Sequence, residues 1–235
     1  GESGCGKSVT ARTLLGITGA NSTIDQGTVH YSDPSGTLVD IAGLKPDSKV
    51  LRRLRGNDAT MIFQEPMTAL SSFYTIGNQI VEALRQHERV PKNQARARAI
   101  EVLEAVGMPD PKIQMESYTF ELSGGQRQRA MIAMALMTNP RLLIADEPTT
   151  ALDVTTQAVI LDLMRTIQKK FEMSILFITH DLGVVSEIAD EVVVMYLGEV
   201  VESGPVDQIF SNPRHPYTRA LISAAPHYAG NQATR

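Results

Sequence analysis

Apolar residues recur along the chain in short blocks that follow two different spacings. Compact apolar runs bounded by polar or turn residues predict buried strands, at Thr60–Phe63, Leu142–Ala145, Ile175–Thr179 and Val192–Tyr196. Between the last three strands, apolar positions recur at three- and four-residue steps and predict helices at Val154–Phe171 and Leu182–Ile188. Because strands that alternate with helices pair in parallel, the pattern indicates an α/β class with a mostly parallel core sheet.

Turn residues divide the earlier part of the chain into a hairpin region and a helical region. Thr28–Tyr31 and Leu38–Ile41 flank a run of Asp, Pro, Ser and Gly, which predicts an antiparallel β hairpin. The spacing over Ile80–Val106 is helical, and Pro91 within it is suited to a helix start. We therefore expect a helical lobe over about 78–138, inserted in the α/β core.

Composition argues against several classes of protein. Lys and Arg number 22 and Asp and Glu number 26, so the net charge of −4 gives no electrostatic drive toward nucleic acid. No apolar run approaches the roughly 18 residues that a membrane helix needs. The single cysteine, Cys5, cannot form a disulfide within the chain, which favours a reducing compartment. A cytosolic protein without a nucleic-acid partner is expected.

The first eight residues have the spacing G-x-x-x-x-G-K-S, which is typical of a phosphate-binding loop. Its glycines let successive N–H groups point at phosphate oxygens, and a helix predicted at Lys7–Leu15 adds a positive N-terminal dipole. Lys7 can contact the β- and γ-phosphates, and Ser8 can ligate Mg²⁺. A chance glycine-rich turn is the structural alternative, but the Lys-Ser pair and the helix argue against it. The predicted nucleotide contacts are Gly1, Glu2, Ser3, Gly4, Cys5, Gly6, Lys7, Ser8 and Val9.

Such a loop normally follows a strand, so we expect N-terminal strands upstream of Gly1 that this stretch lacks. A thiol among phosphate-loop amides can be reactive at a helix N-terminus. For Cys5 the alternative, a small residue that fills space, is the favoured interpretation.

Two adjacent acids, Asp146 and Glu147, end the apolar strand predicted at Leu142–Ala145. An aspartate at a strand end can hold Mg²⁺, and an adjacent glutamate can orient or deprotonate the water that attacks the γ-phosphate. Taken alone, two acids after a strand are more often a solvated turn. Together with a phosphate-binding loop, they predict a site of phosphoryl transfer in which Glu147 and Lys7 are catalytic.

The segment Leu122–Arg129 opens another predicted helix. Ser123 and Gln126 have the spacing of a capping box, so a plain helix start is the structural alternative. A cap does not require the pair Gly124 and Gly125, which would expose main-chain N–H groups at a helix N-terminus. Such N–H groups can bind the γ-phosphate of a nucleotide that another subunit holds.

These motifs together resemble the ABC ATPase family, whose signature motif is similar to Leu122–Arg129. By that resemblance Gln64 is the Q-loop glutamine, Asp153 ends the D-loop and His180 is the switch histidine, although His180 alone would be an ordinary structural histidine. The resemblance implies that Gln64 ligates Mg²⁺ and senses a membrane subunit. It also implies that Asp153 communicates across a dimer and that His180 contacts the γ-phosphate.

The family resemblance implies a P-loop NTPase fold of the ABC type, with ATP and Mg²⁺ bound between two subunits. Two ATPase subunits, identical or different, lie head to tail, so that each nucleotide contacts one phosphate loop and the partner's signature. Nucleotide binding closes the pair and hydrolysis reopens it, which drives transmembrane permease subunits. A substrate-binding protein is an indirect partner. The expected location is peripheral, on the cytoplasmic face of the inner membrane.

The segment Asn212–Leu221 resembles the C-terminal segment of oligopeptide, dipeptide and nickel importer ATPases. A proline-bounded turn followed by a short helix is the structural alternative. The resemblance implies an ATPase domain at 1–203 and a peptide-importer tail at 204–235. Nickel or glutathione import, or a soluble ABC ATPase outside transport, are the alternatives. An inactive regulatory cassette is disfavoured because the catalytic residues, including His180, are intact.

Two features depart from the family pattern. Ala69–Tyr74 replaces a run of the Ser-Leu-Asn-Pro type, in the region expected to meet the membrane subunit. No cysteine follows Asn212–Leu221, so no iron–sulfur cluster is predicted within this stretch.

Overall fold

The computed structural model describes residues 4–19, 22–33, 35–63, 69–150 and 152–224. Two compact units are present, a larger one formed by 9–176 and a smaller one formed by 1–8 together with 177–235. Among the described residues, no helix combines the length and the apolar character that a membrane crossing requires.

In the part of the chain that the structure describes, seven strands form a three-stranded sheet and two hairpins: β1 (His30–Ser32), β2 (Leu38–Asp40), β3 (Ala59–Ile62), β4 (Leu142–Asp146), β5 (Ser174–Ile178), β6 (Glu191–Tyr196) and β7 (Glu199–Pro205). The sheet has the order β3-β4-β5, and β3 pairs with β4 in parallel, with Ala59 opposite Leu142. The central strand β4 is buried on both faces, since Leu143, Ile144 and Ala145 are fully inaccessible. The predicted α/β class with a parallel core is confirmed.

The described residues also form helices, only some of which the apolar spacing predicts. They are α1 (Lys7–Leu14), α2 (Lys49–Leu54), α3 (Ile76–Arg85), α4 (Lys92–Ala105), α5 (Pro111–Gln114), α6 (Gly124–Leu136), α7 (Val154–Phe171), α8 (Leu182–Ile188), α9 (Val206–Ser211) and α10 (Pro216–Ala224). The bounds of α7 and α8 are those predicted. The helical stretch predicted over 80–106 consists of two helices, because Pro91 is the N-cap of α4 and cannot donate a main-chain hydrogen bond.

The predicted hairpin is confirmed as β1 and β2, which pair antiparallel with Tyr31 opposite Val39. Tyr31 attaches it to the sheet by a short hydrogen bond from its hydroxyl to the carboxylate of Asp58, which is only 8% exposed. Arg141 adds a second link by donating from Nη1 to the carbonyl of Ser32 at 3.1 Å. Partial burial, followed by the bond to Asp58, raises the pKa of Tyr31 to about 12.

The smaller unit corrects one expectation about the sheet. The strand predicted at Val192–Tyr196 is present as β6, but it pairs antiparallel with β7, which the sequence pattern did not predict. Leu197 and Gly198 join the two strands with φ of +49° and +87°, as a two-residue turn with positive φ at both positions requires. Because β7 runs to Pro205, the boundary expected between residues 203 and 204 lies inside this strand.

The C-terminal segment packs on this hairpin. Glu202 of β7 accepts hydrogen bonds from the main-chain N–H groups of Arg214 and His215, at 2.7 and 3.0 Å. The rings of Tyr196 and Tyr217 lie 4.3 Å apart. Burial acts to raise the pKa of Glu202, but the neighbouring Thr218 hydroxyl and the hydrogen bonds from these two amides outweigh it and hold that pKa below its usual value.

Candidate functional site

The phosphate-binding loop has the backbone geometry that its glycines allow. Gly4 and Gly6 have φ of +87° and +94°, in the region that residues with a Cβ rarely adopt. Lys7 is the first residue of α1, so the helix N-terminus follows the loop directly. Cys5 is 6% exposed and its Sγ accepts a hydrogen bond from Lys7 Nζ at 3.5 Å. Burial of Cys5 supports the interpretation that it fills space.

The two acids at the end of β4 lie in different environments. Asp146 is the last residue of the strand and is 2% exposed, whereas Glu147 is half-buried and has φ of +49°. A non-glycine residue in this region is uncommon and marks a candidate functional position. The carboxylate of Glu147 accepts a hydrogen bond from the hydroxyl of Thr150 at 3.0 Å, and its carbonyl accepts one from the Thr150 N–H at 3.1 Å. Thr150 thus fixes the orientation of Glu147.

The signature segment forms the predicted capping box at the start of α6. The Ser123 N–H donates to Gln126 Oε1 at 2.8 Å, and the Gln126 N–H donates to Ser123 Oγ at 3.3 Å. The two glycines follow the cap as the first residues of the helix. A Cβ at Gly124 would lie 3.9 Å from the nearest side-chain atom, whereas one at Gly125 would lie 3.2 Å from Thr156 Cγ2. Close approach of α7 therefore leaves little room for a side chain at Gly125.

Asp153 is the N-cap of α7. Its carboxylate accepts hydrogen bonds from the Thr156 N–H at 2.9 Å and the Thr156 hydroxyl at 2.6 Å. These bonds, the side-chain one first, lower the pKa of Asp153. Thr156 thus contacts both the predicted D-loop aspartate and the signature glycine Gly125, which places these two motifs side by side in the larger unit.

His180 belongs to the smaller unit and lies between β5 and α8. The next residue, Asp181, caps α8 by accepting from the N–H groups of Gly183 and Val184, at 2.8 and 3.3 Å. The Asp181 N–H in turn donates to the hydroxyl of Thr179 at 3.0 Å. These bonds hold the main chain immediately after His180, at the end of β5.

The predicted site residues divide between the two units. The larger unit holds the acids of β4, the signature segment and Asp153, and the smaller unit holds the loop residues before Val9 together with His180. Gly1, Glu2, Ser3 and Gln64 lie outside the described residues. Over the described ranges, no group of three or more His, Cys, Asp or Glu side chains is arranged to hold a metal.

Two contacts in the site were not predicted from the sequence. The sequence motifs gave neither Thr150 nor Thr156 a role of its own. Each is a threonine three residues after an acid, Glu147 and Asp153 respectively, and a hydroxyl at that spacing can reach back to the carboxylate. The three-residue spacing between acid and threonine is the sequence signal that could have identified both contacts.

Comparisons with known proteins agree with this arrangement of motifs. The family model "ABC transporter" matches residues 1–150, and the family model "Oligopeptide/dipeptide transporter, C-terminal region" matches residues 201–235. BMEII0863 of Brucella melitensis biotype 1 is named as a peptide import ATP-binding protein, and it is 54% identical to this chain over 227 residues. These residues are 96% of this chain and 67% of that protein.

The oligopeptide transport ATP-binding protein OppD of Bacillus subtilis is 50% identical over 227 residues, which are 96% of this chain and 62% of that protein. Among solved structures, the dimeric post-hydrolysis state of the ATP-binding cassette MJ0796 bound to ADP and Pi has a TM-score of 0.70 and 26% sequence identity. The match covers 87% of this chain and 82% of that one. The chain therefore belongs to the ABC transporter family, as an ATP-binding and ATP-hydrolysing subunit whose C-terminal region is of the oligopeptide/dipeptide transporter type.

Proposed function

We propose that the chain energises an ABC importer of di- or oligopeptides by transferring the γ-phosphoryl group of ATP to water. The observation that carries the peptide assignment is the match of residues 201–235 to the C-terminal region of oligopeptide and dipeptide transporters. The resemblance to OppD, named for oligopeptide transport, supports it.

Residues of the phosphate loop bind and orient the nucleotide in this proposal. The positive φ of Gly4 and Gly6 lets main-chain N–H groups converge on phosphate oxygens, and the dipole of α1 adds to their field. Lys7 supplies the positive charge that offsets charge on the β- and γ-phosphates. Gly1, Glu2, Ser3, Cys5, Ser8 and Val9 complete the proposed cradle.

Glu147 is the proposed general base. A carboxylate at the end of β4 can accept a proton from the attacking water, and the bond from Thr150 holds it in one orientation. His180 is proposed to contact the γ-phosphate. In this proposal Glu147 accepts the proton, His180 orients the γ-phosphate, and Lys7 stabilises the negative charge on the phosphates.

Asp146, Ser8 and Gln64 are the proposed ligands of Mg²⁺. Hard cations take oxygen ligands, and in nucleotide sites Mg²⁺ is bound by one or two protein oxygens together with the phosphates. The buried carboxylate of Asp146 and the hydroxyl of Ser8 provide such donors, and Gln64 is the third proposed ligand. When bound, the ion would offset negative charge on the β- and γ-phosphates.

We infer a head-to-tail pair of ATPase subunits. The start of α6 leaves Ser123, Gly124 and Gly125 at an accessible helix N-terminus, where N–H groups and a positive dipole favour an anion. Ser123, Gly124, Gly125 and Gln126 would contact the γ-phosphate of a nucleotide on the partner's phosphate loop. Asp153, beside this segment, would face the same interface.

A groove in the larger unit is the proposed docking surface for a permease subunit. It has a volume of about 690 Å³, and its lining includes Phe63 and Ala69, which come before and after Gln64 along the chain. Methionines at 61, 131 and 134 supply adaptable apolar lining. Phe73 and Tyr74, shortly after Ala69 in the chain, are 88% and 62% exposed and would face the permease. Docking there would hold the subunit on the cytoplasmic face of the inner membrane.

Replacement of Glu147 by Gln tests the catalytic assignment. Glu147→Gln in the full-length subunit keeps the shape of the side chain and removes the base, so turnover should fall by about 10²–10⁴-fold while ATP binding and a closed dimer persist. ATP binding, dimer mass and phosphate release are measured. The control is Glu172→Gln, because Glu172 is exposed and has the same kind of backbone, with φ of +50°. Undiminished turnover would contradict the role of Glu147.

The substrate class is tested separately. The full-length subunit is co-purified with its permease subunits, and the cargo of the associated substrate-binding protein is identified by mass spectrometry. Peptides are the expected cargo. Nickel or glutathione would contradict the peptide assignment and leave the ATPase assignment intact.

A further inference from the structure

Thr119 joins two segments that the proposed function assigns to different tasks. Its side chain is 1% exposed, and its hydroxyl donates to the carbonyl of Ser71 at 2.9 Å. Its own carbonyl accepts a hydrogen bond from Arg127 Nε at 2.9 Å. Ser71 lies in the segment after the Q-loop, and Arg127 lies in the first turns of the signature helix α6. One buried residue therefore connects both segments by direct hydrogen bonds.

Gln79 makes the first of these segments rigid. From α3, its Oε1 accepts from the Ser71 N–H at 2.7 Å, and its Nε2 donates to the carbonyls of Ser71 and Tyr74, at 3.0 and 2.9 Å. The carbonyl of Ser71 thus accepts from both Gln79 and Thr119. Hydrogen bonds between the Gln79 side chain and the main chain therefore tie Ser71 and Tyr74, the two ends of the segment, to α3.

The backbone beneath this connection is also closely packed. The Ile76 N–H donates to the carbonyl of Ser117, and the Gly77 N–H donates to that of Met115, both at 2.9 Å. A Cβ at Gly77 would lie 2.6 Å from the Met115 carbonyl oxygen, so α3 touches the chain before Thr119 without a gap. Because packed interiors are not continuously deformable, a displacement of Ser71–Tyr74 is carried to residues 115–119.

We propose that Thr119 and Gln79 are positioning residues that carry permease-induced movement from Ser71–Tyr74 to the signature helix. The proposal rests on the proposed function, in which Phe73 and Tyr74 face the permease and α6 binds the partner's nucleotide. Neither Thr119 nor Gln79 is assigned a contact with nucleotide. Thr119 acts through Arg127, the fourth residue of α6, and the connection therefore sets the placement of α6.

The test uses the full-length subunit, alone and assembled with its permease subunits in proteoliposomes. The quantity measured is the ratio of the two ATPase rates at equal Mg-ATP, well below the melting temperature. Thr119→Val keeps the shape of the side chain and removes one neutral hydrogen bond, so the ratio should fall about fivefold, which corresponds to about 1 kcal/mol. Gln79→Leu should lower it further, and Thr119→Ser should restore it. The ATPase rate of the subunit alone should stay unchanged.

Thr166→Val is the matched control, because the Thr166 hydroxyl also donates to a carbonyl, that of Asp162 in α7, at 3.0 Å. The ratio of the two ATPase rates in Thr166→Val should equal that of the wild type. A purely structural role for Thr119 would lower both ATPase rates in proportion and lower the melting temperature, and this result would overturn the proposal. So would a ratio that Thr119→Val leaves unchanged.

Hydrogen exchange, measured on the full-length subunit without permease subunits, tests whether Thr119 joins the two segments. Thr119→Val should speed amide exchange both in Ser71–Tyr74 and at the start of α6. Faster exchange in Ser71–Tyr74 with unchanged exchange in α6 would overturn the proposal. If permease subunits do not stimulate the wild type, the proposed function fails, while the exchange result still decides whether Thr119 joins the two segments.

Discussion

The contact between Gly125 and α7 allows packing and chemistry to be separated in the signature motif. A Cβ at Gly125 would lie 3.2 Å from Thr156 Cγ2, a few tenths of an ångström too close. The methyl group cannot easily turn away, because the Thr156 hydroxyl bonds Asp153 at 2.6 Å. Gly125→Ala should therefore cost about 1 kcal/mol, at the low end of overpacking penalties. The helix propensity of Ala offsets up to about 1 kcal/mol of this.

The expected net change in stability is thus close to zero, and the melting temperature should move by no more than about 4 °C. ATPase activity should fall much more, at least about tenfold, or about 1.4 kcal/mol. The reason is that the added methyl group stands beside the N–H groups proposed to bind the partner's γ-phosphate. The assay compares steady-state ATPase and melting temperature of the full-length subunit assembled with its permease.

The double variant Gly125→Ala/Thr156→Ser distinguishes the two causes. Serine keeps the hydroxyl bonded to Asp153 and removes the opposing methyl group, so the packing strain is relieved while the new methyl at 125 remains. ATPase activity should therefore stay low in the double variant, and Thr156→Ser alone should behave as the wild type. Recovery of ATPase activity in the double variant would refute the reasoning, because the loss would then arise from a displaced helix.

Two further predictions concern stability. Tyr31→Phe removes the hydrogen bond to buried Asp58 and should lower the free energy of unfolding by about 2–3 kcal/mol at neutral pH, a bond to a charged group being worth about 1.5–3. Tyr74→Phe, on an exposed ring, is the control. Because the pKa of Tyr31 is raised to about 12, its contribution should be complete below about pH 10 and disappear as the pH rises through 12, measured by urea unfolding. Glu202→Gln replaces one of two accepting oxygens by a donor that faces a main-chain N–H, so protease should cleave near His215 faster at neutral pH. An unchanged cleavage rate would show that Glu202 does not hold the C-terminal segment.

Local sequence determined most of the secondary structure. The helix Val154–Phe171 was predicted with its observed bounds, since its apolar spacing and its cap at Asp153 both lie within a few residues of the chain. The capping box of Ser123 and Gln126 was readable for the same reason. Motif spacing also identified the phosphate loop and the two acids of β4, because each of these motifs is contiguous along the chain.

Pairing between strands was less accessible from the sequence. The segment Glu199–Pro205 has only two valines, which are adjacent, among Glu, Ser, Gly and Pro, and every residue of β7 is at least partly exposed. A weakly apolar strand gives little periodic signal, so β6 was predicted without its partner. The short turn at Leu197 and Gly198 was the local sign that a hairpin follows.

The sequence by itself determined that this chain binds and hydrolyses ATP, because the residues that mark the family lie in short contiguous motifs. Only the tertiary structure decided which side chains support those motifs. Thr156 beside Gly125, Tyr31 on Asp58, and Thr119 between Ser71 and Arg127 are contacts through space. Their partners come from separate elements, and no spacing along the chain specifies the packing that brings a hydroxyl within 3 Å of its acceptor.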